Sequence, residues 1–151
     1  MTDYANRIKA DIQKYGVHII HVMADEDEAN FSYTIGLTEV YNKPEIIMIG
    51  QSQELHQIIL NNMAYDYKDG RILSPGKLEE NILDEYPCMI VDVDKKYFEE
   101  YLGIAVDYYN HKNFKVLQIV WPTQLGIFPN DKDAPDGFKK WQPILGKLKI
   151  K

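Results

Sequence analysis

A single cysteine, four histidines and short apolar runs leave few kinds of chemistry open to this 151-residue chain. One thiol excludes an internal disulfide and a cysteine-based zinc site. Cys88 lies between Pro87 and Met89 at the start of an apolar run, the setting of a buried thiol rather than a nucleophile. No apolar run approaches the roughly 20 residues that a membrane-spanning helix needs. Met1 to Asn6 also lacks the basic and then apolar pattern of a signal peptide. Positive charge is scarce: 17 scattered Lys and Arg stand against 23 Asp and Glu, for a net charge of −6. Phosphate backbones attract clustered cations, so nucleic acid is not an expected partner. The tail Lys147 to Lys151 is read as a solvated end. A cytoplasmic protein without a membrane partner is expected, of unknown oligomeric state.

What the chain does have is apolar and aromatic content: 45% hydrophobic residues and eleven tyrosines, enough for one domain core. Tyr4, Ile8, Ile12 and Tyr15 recur at helical spacing and predict an amphipathic helix over residues 3–15, ended by Gly16. Residues 17–23 and 31–35 read as a hairpin around the acidic stretch 24–30. Gly36 then opens a loop to Pro44, and 45–49 is a short buried strand. Ser52 is placed to cap a helix over 53–67, with Leu55, Ile58, Ile59 and Met63 as its buried stripe. Residues 68–86 read as irregular and 89–93 as a strand. Asp94 is expected to cap a helix over 95–110. The longest strand, 114–121, stops at Pro122, and Trp121 is expected to be largely buried at its end. The remainder reads as a surface wrap held by Trp141, Ile144 and Leu145. The fold class is a single α+β domain over 1–151. About five strands in a mixed or mainly antiparallel sheet are packed by about three helices, with an irregular Pro-rich C-terminal wrap.

Six segments now stand in order: Tyr15-Gly-Val-His-Ile-Ile20, Phe31-Ser-Tyr-Thr-Ile-Gly-Leu37, Pro44-Glu-Ile-Ile-Met-Ile-Gly50, Leu117-Gln-Ile-Val-Trp-Pro122, Gly126-Ile-Phe-Pro129 and Gln142-Pro-Ile-Leu145. Together they resemble a bacterial family known as domain of unknown function 4262, over about residues 10–146. The resemblance implies a small stand-alone bacterial domain and brings no reaction or ligand with it. Thr123 stands where relatives often have an acid, and Asn130 where they often have a tryptophan. A site at those positions in relatives would be altered here.

Candidate chemistry is sparse. His18 and His21 look like a metal pair, but three apart on a strand they point to opposite faces. His21 is expected on the face of Val17 and Ile19. His56 reads as a partly exposed helix residue, and His111 as a residue suited to a helix C-terminus. Asp25, Glu26, Asp27 and Glu28 lack the glycine and terminal glutamate of a calcium-binding loop. Asp92 and Asp94 can share a face, but Asp94 has a capping role already. No Gly-Lys-Ser/Thr loop and no serine elbow occurs. No catalytic residue, metal or cofactor is implied.

Two readings follow. In the first, the chain is a small acidic binding module with Asp25, Glu26, Asp27, Glu28, Asp131, Asp133 and Asp136 as partner-binding residues. Its partner would be a basic protein such as a cognate toxin, by analogy with immunity proteins. In the second, it binds or hydrolyses a small molecule in a pocket lined by His21, Tyr33 and Trp121.

Overall fold

Ile8 and Ile12 sit one helical turn apart, and both are buried on the inner side of α1 (Asp3–Tyr15). Tyr4 and Tyr15, expected on the same stripe, are exposed. Tyr4 lies edge-on to His18, and Tyr15 carries Lys14 over its ring. In this computed structural model the described residues are 3–23 and 25–148. The start of the chain, Ala24, and Lys149 to Lys151 of the basic tail lie outside them.

The hairpin forms as its patterning predicts, with β1 (His18–Val22) antiparallel to β2 (Phe31–Ile35) and His21 opposite Ser32. Six strands make one mixed sheet in the order β1-β2-β3-β6-β5-β4. The additional strands are β3 (Glu45–Ile49), β4 (Leu78–Glu79), β5 (Cys88–Asp92) and β6 (Val116–Val120). Among the described residues, only β3 and β6 pair in parallel. Both are buried at every position, as central strands covered on two faces must be. The two-residue β4 arises in the stretch expected to be irregular.

Two further expectations are corrected by the helices. The loop after Gly36 contains a short helix, α2 (Leu37–Tyr41). Its N-terminal amides are satisfied by Glu45, whose carboxylate accepts from the N–H groups of Gly36, Leu37 and Thr38, each at 3.1 Å. The hydroxyls of Thr34 and Tyr109 donate to the same carboxylate. Gly36 has φ 118°, and a Cβ there would lie 2.8 Å from Ile12 Cγ1, so glycine alone fits the turn. The predicted helix over 95–110 is instead a 3₁₀ turn (Lys95–Tyr97) capped by Asp94, then α4 (Phe98–Tyr101) and α5 (Gly103–Tyr108).

α3 (Gln53–Lys68) packs over β1 and β2 and is capped by Ser52 as expected. Its buried stripe, however, is His56, Ile59, Leu60, Met63, Ala64 and Tyr67, with Ile58 exposed. This stripe covers Ile46, Met48, Leu117 and Ile119 on one face of the sheet. On the other face, α1 and α5 enclose Ile20, Tyr33, Ile35 and Ile47.

The C-terminal wrap is pinned by two buried glutamines. Gln118 accepts from Leu145 N–H at 2.8 Å and donates to Pro143 O at 2.8 Å. Gln142, just past α6 (Phe138–Trp141), bonds both the N–H and the C=O of Trp121. Trp121 lies one residue beyond β6 and is only partly buried. Its indole donates to Ile49 O, and that of Trp141 donates to Gly50 O. Trp141 remains substantially exposed, while Leu145 is buried.

Candidate functional site

The hairpin register places His21 beside Ser32, and the Ser52 cap starts α3 so that its first turn sets His56 over the same serine. Ser32 Oγ lies 2.7 Å from His21 Nδ1 and 2.8 Å from His56 Nδ1. His21 Nε2 is 2.7 Å from Gln57 Oε1. At the inner end, the backbone N–H of Gln51 donates to His56 Nε2 at 3.1 Å.

That amide sets the direction of the whole chain, because a backbone N–H can only donate. His56 Nε2 must therefore be the acceptor nitrogen, and the neutral ring carries its proton on Nδ1. His56 Nδ1–H donates to Ser32, Ser32 O–H donates to His21 Nδ1, and His21 Nε2–H donates to Gln57 Oε1. Ser32 and His56 are buried, at 1% and 0% exposure. Burial pushes the His56 imidazole down to about 4, with the nearby His21 adding to the effect. The neutral ring that the donor pattern requires is the one that burial favours.

Chemically, this is a relay held in one direction rather than an exposed nucleophile. Ser32 lies against a general-base nitrogen, but its buried oxygen is already shared between two imidazoles. The relay reaches the surface at Gln57, an exposed residue on the wall of a cleft of about 640 Å³. The cleft lies between the end of α1, α2 and α3, and carries the aromatic rings of Tyr15, Tyr41 and Tyr65. Lys14, Lys68 and Asn61 complete its polar lining together with Asp11, whose carboxylate is 2.7 Å from His18. A larger groove of about 900 Å³ runs past Asp66, Asp69, Arg71 and Glu79. There Arg71 is committed to Asp66 and to the carbonyls of Glu80 and Asn81, which tie the β4 segment to α3.

A family model described as a domain of unknown function (DUF4262) matches residues 11–135. The chain belongs to the DUF4262 family. No curated protein and no solved structure matches it. The DUF4262 span holds His21, Ser32, Gln51, His56 and Gln57 and ends before Trp141 and Gln142. Thr123, within it, accepts from the N–H groups of Leu125 and Ile127, so its hydroxyl serves its own turn.

The other expected site residues fall in different places. His21 lies on the face of Val17 and Ile19, opposite to His18, as strand geometry requires. Tyr33 does not join it: alternation along β2 turns Tyr33 to the opposite face from Ser32. There burial pushes its hydroxyl up to about 12, against the backbone of Ile104. Trp121 packs on the α3 side of the sheet and against Phe138, so His21, Tyr33 and Trp121 do not line one pocket. His56 is not a partly exposed helix residue but the buried start of the α3 stripe. His111 is exposed, 3.9 Å from Asp107. Cys88 is buried, and burial pushes its thiol up to about 12. Among the described residues, no three His, Cys, Asp or Glu side chains gather as a metal site. No helix among them is long and apolar enough to cross a membrane.

The acidic candidates Asp25, Glu26, Asp27, Glu28, Asp131, Asp133 and Asp136 are all exposed. Two of them also serve their own loops. Asp25 accepts from the N–H groups of Asp27 and Glu28, and Asp131 from that of Phe128. Gln51 and Gln57 escape the sequence reading because each is polar and ordinary by itself, and His56 reads there as partly exposed. The available signal was that His56 opens the helical series 56, 59, 60, 63, 64, 67, where only a buried residue fits.

Proposed function

We propose that this DUF4262 protein is a small-molecule-binding domain whose ligand occupies the cleft walled by Gln57. The observation that carries this reading is the relay from Gln51 through His56, Ser32 and His21, which fixes an exposed amide at the cleft wall. A buried polar chain of this kind is costly unless every member is satisfied, and each member here has its partner. The cleft volume falls within the range of small-ligand sites, and tyrosine faces with a few convergent polar groups are typical of such linings. The test is a thermal-shift screen of metabolites followed by NMR mapping of any that bind. Shifts centred on Tyr15, Tyr41, Gln57 and Tyr65 are expected; ligands that map only to the Arg71 groove would refute the assignment.

A second reading, a module that binds a basic protein such as a cognate toxin, is favoured by a separate observation. Glu26, Asp27, Glu28, Asp133 and Asp136 are exposed, and none of them forms an ion pair among the described residues. Unpaired surface acids of one sign speed encounter with a basic partner. Pull-down from the native host tests this: a retained basic protein whose binding weakens with salt is expected, and a salt-insensitive partner would count against it.

A further inference from the structure

We propose that the cleft selects ligands presenting an anionic hydrogen-bond acceptor, a carboxylate or a phosphate, to the Gln57 side-chain amide. This rests on the cleft being the ligand site, and it follows from the direction of the relay. His21 Nε2 carries a proton because its Nδ1 accepts from Ser32. The group it meets on Gln57 must therefore be the carbonyl oxygen, at 2.7 Å. With Oε1 held inward, the amide NH₂ of Gln57 is turned away from His21 and offers donors only. A primary amide free to flip would accept either polarity of ligand; this one is set by a backbone N–H four hydrogen bonds away.

The charged groups along the same cleft are positive in balance, two lysines to one carboxylate. Lys14 and Lys68 line it, against the single carboxylate of Asp11, which is already paired with His18. Tyr15, Tyr41 and Tyr65 also line the cleft and provide apolar area for the body of the ligand. A planar or aromatic acid fits this set, with its acidic group toward the Gln57 amide and its body along the tyrosines.

The experiment uses the full chain and three fragments of similar size: benzoate, benzyl alcohol and benzylammonium. In ¹⁵N-labelled protein, benzoate is expected to move the Gln57 side-chain NH₂ signals and to bind about tenfold more tightly than benzyl alcohol. Gln57→Glu keeps an oxygen for His21 but turns a second acceptor to the cleft. It should lose benzoate and gain benzylammonium, each by about tenfold. Gln57 is exposed, so this variant is expected to fold. Histidine ¹⁵N spectra give an independent readout, with His56 as the Nδ1–H tautomer and His21 as the Nε2–H tautomer. The opposite tautomers, or equal binding of benzoate and benzylammonium to the unaltered chain, would overturn the selectivity while leaving the cleft as the site. Failure of all three fragments to move any signal from Tyr15, Tyr41 or Tyr65 would overturn the cleft reading as well.

Discussion

His56 shows how much one side chain can contribute when it is buried and neutral. Its folded value near 4 lies below the ordinary 6.5, so the unfolded chain binds its proton more readily. Its contribution to stability is therefore complete above about pH 6.5 and is lost as pH falls through about 4. The loss should reach about 3 kcal/mol at full protonation. Urea melts between pH 7 and pH 4 should show the decline, and His56→Gln should flatten it while lowering stability at neutral pH. A pH dependence unchanged in His56→Gln would place the titration elsewhere. Glu45 is the other decisive residue. Burial raises its carboxyl above the ordinary value, while Tyr109, Thr34 and the backbone donors lower it. Each of its five partners donates, so the site fits an acceptor and nothing else. Glu45→Gln turns an NH₂ toward those donors and should cost about 2–4 kcal/mol, measured by denaturant unfolding. From the sequence, Glu45 is merely the first residue of a strand; its partners arrive from positions 34 to 38 and from 109.

At the scale of elements, the same limit decides which predictions succeed. α1, the hairpin and α3 carry their own periodicity, caps or stops, and each forms close to its expected bounds, whereas β6 is shorter than the expected 114–121 and no longer than β1, β2, β3 or β5. α2 is only five residues long, and its cap comes from Glu45 across the turn, so no local signal marks it. The break between α4 and α5 likewise follows from packing: Leu102 leaves helical geometry (φ −124°, ψ 29°) as it and Ala105 enter the core. The C-terminal wrap depends on Gln142, which is fully buried and imitates a strand neighbour for Trp121. Gln142→Ala leaves the part-buried N–H and C=O of Trp121 unpaired and should cost about 1–2 kcal/mol. Hydrogen exchange should then rise first at Trp121 and across residues 138–145, ahead of β3 and β6. Uniform loosening of the whole sheet in that variant would show that the wrap is not a separate unit.

For the whole molecule, net charge and its placement separate stability from recognition. Charge reversal at Glu26, Asp27 and Glu28 leaves Asp25 to hold the loop and should change unfolding free energy by less than about 0.5 kcal/mol. Under the protein-binding reading, the same changes should slow association with a basic partner and weaken its salt dependence. Stopped-flow association at two ionic strengths measures both effects; an unchanged rate would remove these acids from the interface.

Composition, periodicity and cap residues by themselves determined an α+β domain, the hairpin, the helix capped by Ser52 and the division of His18 and His21 between two faces. These are local consequences of spacing along the backbone, and they also carry the resemblance to DUF4262 through six short segments. Only the tertiary structure decided that His21, Ser32, His56 and Gln57 form one directed chain, that Glu45 caps α2, and that Tyr33 and Trp121 lie apart. Those relations depend on which segments the fold brings together and on burial, which removes water and makes an unpartnered polar group costly.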